Sequence, residues 1–531
     1  MASNLLPECL EKIFTNLLNP SNPIFSNSVE TCEIKDLYSC TLVSRYWCRI
    51  STPILYSHPF NYFHHLKGGK KSQTEKDFQD YYKLIRTLLT CIPHSEIEEI
   101  VNSVYEKGSS IEPIESVVSP TFNYVKFIHE LLFDDKFFLN HGKDIWTPSY
   151  IPIKDIPDTD TYKLYDSLIN HLVKYLIEDC NNLTRLEILR NKLQVDLMKS
   201  LVKDRLSGLR KLSLKGTGKE RYENDEMSLI QLYTTLSTTT LNLEILHNGE
   251  IISLEHANAL SSLISAQKKL KLITLSDSLR ASVTNIQLSG WYNVVFNSLS
   301  TQKGWLERLE LVYLSFEGID EKTLNSLCSL KHLKELRLEM CKFLRVSLLQ
   351  NWAESLSNLK VLEYKAFSPS YHSSDFEFLT LILKSSSNTL NKLVLDYDRI
   401  IDQGFTLVKD ILIYSQNLTH LELPHIYPPE LRNIFKSCTD LVYFSFILAY
   451  HGGWEPDFRH MGKFVPNSVE MIQFKDTQLL EIKSESLVNF LEDCVNNGGK
   501  LKILEITGKC KVPKFYFDAV THSKVQLIKL E

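Results

Sequence analysis

No run of apolar residues in this chain approaches the roughly 18 that would read as a membrane span. The opening stretch, Met1-Ala-Ser-Asn-Leu-Leu-Pro-Glu, has neither the basic region nor the long apolar core of a signal peptide, so a cytoplasmic or nuclear protein is expected. The eleven cysteines are odd in number and include no Cys-x-x-Cys pair, which speaks against a disulfide framework or zinc site and for reduced thiols. A strong excess of one charge is also missing. The net charge is -5 over 531 residues, with no basic domain of the kind nucleic-acid binding requires.

Catalytic patterns are absent in the same way. Gly68-Gly-Lys-Lys-Ser72 resembles a phosphate loop only superficially, because His64 stands where the first glycine is required and Lys71 intervenes before the serine. His129-Glu130 is followed by Leu-Leu-Phe, so the zinc-protease pattern fails, and no Gly-x-Ser-x-Gly elbow occurs. The adjacent pair His64-His65 reads as solvated loop rather than metal ligands. No catalytic residue, cofactor or metal is therefore expected, within an ordinary globular composition of 43% hydrophobic and 23% charged residues.

What is present is repetition. Thirteen copies of one phrase run through the last two-thirds of the chain: apolar, two variable residues, apolar, one variable residue, apolar. Clear copies are Leu333-Lys-Glu-Leu336-Arg-Leu338, Leu390-Asn-Lys-Leu393-Val-Leu395 and Leu418-Thr-His-Leu421-Glu-Leu423. First slots fall at Leu183, Leu209, Leu243, Leu270, Leu306, Leu333, Leu359, Leu390, Leu418, Leu441, Val469, Leu501 and Val525, about 28 residues apart on average. The end of each phrase alternates as a half-buried strand does, and helix-like stretches lie between copies. One strand and one helix cannot bury an apolar edge alone, whereas stacked copies bury a continuous core. The pattern resembles a leucine-rich-repeat solenoid. That resemblance implies an α/β horseshoe over residues 161–531, with strands on the concave side.

In such strands the variable slot before the last apolar residue points outward, and neighbouring strands about 4.8 Å apart align these slots into a column. The column includes Glu187, Glu310, Arg337, Glu363, Glu422 and Glu505, together with Ser213, Thr274, Val394, Ser445, Gln473 and Lys529. These are the candidate target-binding residues, and five glutamates against two bases point to basic ligand segments.

The N-terminal residues carry a second pattern. Leu6, Leu10, Ile13, Phe14 and Leu17 share one helical face, and Pro7 suits the first helical turn. A second cluster, Leu42-Val43-Ser44 with Trp47, is followed by Pro53, Leu55 and Tyr56; Asp36 and Ser44 are candidate helix caps. Together these resemble an F-box over residues 1–57, with a connection at 18–35 longer than usual. The alternative for this segment is a helical end-cap in which the same side chains are core. Between the two patterns, residues 58–160 read as a helical linker or cap, with helices at 75–93 and 95–107 and a further helix across 164–177.

The F-box resemblance implies a non-catalytic substrate-recognition subunit of an SCF-type (cullin–RING) E3 ubiquitin ligase. Leu6, Pro7, Ile13, Phe14, Leu42, Val43 and Trp47 would dock a Skp-type adaptor, and through it a cullin, while the repeats bind an unknown protein target. Neither nucleic acid nor membrane is expected as a partner. A protein-interaction scaffold that works without a ligase stays open as the alternative.

Overall fold

The structure, a computed structural model, describes residues 6–18, 32–60, 75–104, 122–134, 158–180, 183–189, 206–214, 223–251, 253–277, 288–366, 373–397, 404–448, 459–475, 484–507 and 525–530. Most of the 18–35 connection, His64-His65 and the glycine-lysine stretch at 68–72 lie outside them. The chain divides into two compact units, Met1–Ile245 with Ala266–Lys268, and Leu246–Ser265 with Lys269–Glu531.

The first unit begins with three mutually packed helices, α1 (Pro7–Leu18), α2 (Cys32–Thr41) and α3 (Arg45–Leu55). Pro7 occupies the first position of α1, where its missing N–H leaves no helical bond unmade. Ser44 caps α3: its Oγ accepts the Trp47 N–H at 3.1 Å. Asp36 does not cap α2, because that helix already starts at Cys32 and carries Asp36 inside it. Next come α4 (Glu75–Leu89) and α5 (His94–Val104), which bury Tyr81, Ile85, Leu88, Ile97 and Val101.

The segment expected as a helical linker or cap, residues 58–160, also contains a strand. β1 (Glu130–Asp134) lies ahead of the first copy of the phrase and pairs in parallel with β2 (Arg185–Leu189). Its sequence, Ile128-His-Glu-Leu131-Leu-Phe133, is a fourteenth copy with isoleucine in the first slot. The long α6 (Asp158–Asp179) joins these two strands; β3 (Lys211–Leu214) and α7 (Glu223–Thr239) follow. The chain passes into the second unit through β4 (Ile245–Asn248) and α8 (Leu254–Ala266).

The second unit alternates strand and helix: β5 (Leu272–Ser276), α9 (Leu288–Leu299), β6 (Arg308–Val312), α10 (Glu321–Cys328), β7 (Glu335–Glu339), α11 (Val346–Ser355), β8 (Val361–Ala366), α12 (Ser373–Ser385), β9 (Lys392–Tyr397), α13 (Gly404–Tyr414), β10 (His420–Ile426), α14 (Pro428–Ser437) and β11 (Tyr443–Leu448). It closes with β12 (Met471–Phe474), α15 (Ser484–Asn496), β13 (Ile503–Thr507) and β14 (Gln526–Leu530). Neighbouring strands pair in parallel and in sequence order, and α9 to α14 pack each on the next. For every copy from Leu183 to Leu501 the strand starts two residues after the first apolar slot. The last copy is displaced: Leu527 pairs with Leu504 and Ile528 with Glu505, one residue earlier than the phrase at Val525 places them.

The phrase leucines are interior. Leu309, Leu311, Leu336, Leu338, Leu362 and Leu393 are buried, each worth about 1.5–3 kcal/mol relative to exposure. Behind them runs a ring column through four successive repeats. Phe296 stacks on Phe316 (6.3 Å between centroids), Phe316 on Trp352 (5.7 Å), and Trp352 meets Phe378 (5.7 Å).

Candidate functional site

The N-terminal helices sort their apolar residues into two sets. Leu10, Phe14 and Leu37 form a closed core, with Leu17, Cys40, Trp47, Ile50, Ile54 and Leu55 packed around it. Phe14 meets Trp47 edge to face at 5.3 Å. Leu6, Ile13, Leu42 and Val43 stay outside, 66%, 47%, 71% and 59% exposed, and Pro7 is exposed with them. Leu6 and Ile13 lie seven residues apart on the same side of α1, and Leu42 and Val43 form the turn between α2 and α3, both of which touch α1. Two docking candidates are thereby reassigned: Phe14 is wholly buried and Trp47 half-buried, so they hold the module together. Tyr38 and Tyr46 were not singled out by sequence and are exposed beside the same turn. Their positions before and after Leu42-Val43 were the available signal.

In the repeats the register aligns the expected column. Thr274, Glu310, Arg337, Glu363, Val394, Glu422, Ser445, Gln473 and Glu505 are successive partners across β5 to β13. In the first unit Glu187 partners Ser213. The column is not an open acidic surface, however. Glu187, Glu310 and Glu505 are buried, and Glu363 and Glu422 are half-buried. Glu187 is held by Arg185 (2.6 Å) and Lys211 (2.8 Å), Glu363 by Lys392 (3.0 Å), and Glu310 by Arg308 (2.5 Å) and the Thr274 hydroxyl (2.7 Å). Arg337 pairs with Glu339. Glu505 accepts from the Gln473 amide at 2.6 Å, whose oxygen accepts from Tyr443 and Ser445.

Glu422 is tied on two sides, by His420 and Lys475. Burial alone would push its pKa up, but the bond from His420 (3.0 Å) and the charge of Lys475 outweigh it and hold the carboxyl at about 2. Glu310 is likewise held below the usual carboxylate range: burial opposes ionisation, and the Thr274 hydrogen bond with the Arg308 charge overcomes it. For Glu187, Glu310, Glu363 and Glu422 the bases come from slots flanking the column, so these four carboxylates meet the chain's own cations, while Glu505 has the Gln473 amide. Each buried charge here already has its partner, the condition under which a buried carboxylate is tolerated.

Among the described residues, no group of three or more His, Cys, Asp or Glu could hold a metal ion, and no helix is long and apolar enough to cross a membrane. No family model matches the sequence, and no curated protein matches it. Among solved structures, one described as "Crystal structure of Rad7 and Elc1 complex in yeast" is similar, with a TM-score of 0.38 and 14% identity over 70% of this chain and 95% of that one. A likeness this distant defines neither family nor function.

Proposed function

We propose that this protein is the substrate-recognition subunit of an SCF-type ubiquitin ligase, its N-terminal helices docking a Skp-type adaptor and its repeats presenting a target protein. The observation that carries this is the exposure of Leu6, Pro7, Ile13, Leu42 and Val43 on a module that has its own core. Apolar side chains left in water on two touching elements are what a helix-docking partner covers, and a few of them dominate such interfaces. The F-box resemblance, carried by these positions with Ser44, Pro53, Leu55 and Tyr56, names the partner. The role needs no catalytic residue. Holding a target beside a charged ubiquitin donor raises the effective concentration of its lysines.

Co-purification with a Skp-type adaptor tests this. Wild type should capture the adaptor, and Ile13→Asp with Leu42→Asp should lower affinity at least 30-fold, from ~2 kcal/mol or more lost at such anchors. Failure of the folded wild-type chain to capture any Skp-type adaptor would sink the proposal. Adaptor capture without a cullin would favour the ligase-independent scaffold.

A further inference from the structure

The repeats carry a second surface that neither the column nor the N-terminal module uses: the turns entering β5, β6, β7 and β8. The backbone ladder fixes their alignment. Glu307 N–H donates to the Lys271 carbonyl (2.9 Å), Lys334 N–H to the Glu307 carbonyl (2.7 Å) and Lys360 N–H to the Lys334 carbonyl (2.7 Å), so Lys271, Glu307, Lys334 and Lys360 form one row. Two residues earlier in each turn, Lys269, Trp305, His332 and Asn358 form a second. Lys303 and Lys331 sit in the same turns, and Lys269, Lys271, Lys303, Lys331, His332 and Lys360 are exposed. The segments 269–271, 303–307, 331–334 and 357–360 hold six lysines and one carboxylate, Glu307, a net of +5 with His332 neutral on a chain of net charge -5. Glu307 is held below its usual range by the hydrogen bond from Lys334 (2.7 Å), against slight desolvation, with the charges of Lys334, Lys271 and His332 adding to it.

In the middle of this charge stands Trp305, half exposed, with the Lys269 ammonium 6.0 Å from its ring centre. Lysines near helix ends are common on solvated surfaces, since they complement helix carbonyls. An exposed tryptophan among them is not explained that way, and tryptophan is enriched among the anchors of protein interfaces.

We infer that this edge docks an acidic polypeptide segment of a partner protein, with Trp305 as its apolar anchor. Four strands at about 4.8 Å give a row about 14 Å long, which four or five residues of extended chain span. The size favours a peptide over nucleic acid. Duplex DNA carries a charge every ~1.7 Å and is gripped through many phosphates, whereas here the cations end within four repeats and the bordering faces hold Glu335, Glu310 and Glu363. The inference stands apart from the adaptor proposal and can fail without it.

The test is anisotropy of a fluorescein-labelled dodecaglutamate with the full-length protein, beside a 12-nucleotide single-stranded DNA and dodecalysine. Saturable, salt-sensitive binding of dodecaglutamate is expected. It should fall at least tenfold in Lys269→Glu/Lys360→Glu and about fivefold in Trp305→Ala, and stay unchanged in Lys322→Glu on α10, whose lysine is exposed outside these turns. Absence of binding, equal binding by the three variants, or tighter binding of the oligonucleotide each overturns the inference. Melting curves matching wild type ensure that lost binding is not lost folding.

Discussion

The repeats and the N-terminal helices treat the same residue types in opposite ways. In the repeats, leucines such as Leu336, Leu362 and Leu393 are interior, and even the glutamates of the outward column are covered and paired. In the three-helix module, Leu42 and Val43 remain more exposed than many charged side chains although a core lies beside them. The strand ladder covers its own apolar and charged side chains, while the module leaves these apolar ones in water, which is the contrast the proposed adaptor docking rests on.

Perturbations that strike only one side sharpen that contrast. The largest stability effect is expected from Trp352→Ala, which empties the middle of the ring column: about 3–5 kcal/mol, read as a lowered denaturant midpoint, with adaptor capture by the still-folded fraction unchanged. Next come two carboxylates of opposite sign. Glu422 is depressed in the fold, so its stabilisation is full above its ordinary pKa of 4.5 and disappears as pH falls toward about 2. Glu422→Gln should remove roughly 3 kcal/mol of acid sensitivity over that window in pH-dependent unfolding. Asp375 is raised by burial from 3.8 to about 6, eased by the Tyr364 hydroxyl, so its contribution is best below pH 3.8 and is lost as pH rises through 6. Asp375→Asn should therefore raise the melting temperature at pH 7.5, by the equivalent of about 2 kcal/mol, with no gain at pH 3.5.

Ser44→Ala removes the cap of α3 and should cost about 1 kcal/mol, visible in the melting of the N-terminal helices. The smallest change in stability, within about 0.5 kcal/mol, is expected for Leu42→Asp, because that side chain already faces water. If Leu42→Asp melts far below wild type, the contrast between the regions collapses and the exposed leucine is structural.

Much of the fold was legible because a strand-and-helix repeat writes its period into the chain: Leu183 through Leu501 each stand two residues ahead of a strand. The copy at Ile128 escaped because 55 residues separate it from Leu183, about twice the usual interval. The last copy slid by one because Val525, Leu527, Ile528 and Leu530 allow two framings, which only pairing with β13 decides. The candidate sites were less legible. An apolar residue packing inward and one awaiting a partner look alike in sequence, so Phe14 and Ile13 were grouped together. Charge pairing between strands depends on register, so Lys475 reaching Glu422 from two strands away could not be read. The basic edge escaped for the same reason, since its lysines are gathered from four separate segments.

The joint between the module and the first strand has its own consequence. The His129 N–H donates to the Ser57 carbonyl at 2.8 Å immediately before β1, and the Tyr56 ring lies against Tyr124 at 4.3 Å. The module is thus bolted to the strand ladder of its unit rather than strung from it. A leash would let a partner on α1 sample every direction. For the adaptor proposed to dock on α1, a bolted arm would set one bearing and one reach relative to the strands of this unit, a fixed gauge in place of a free swing.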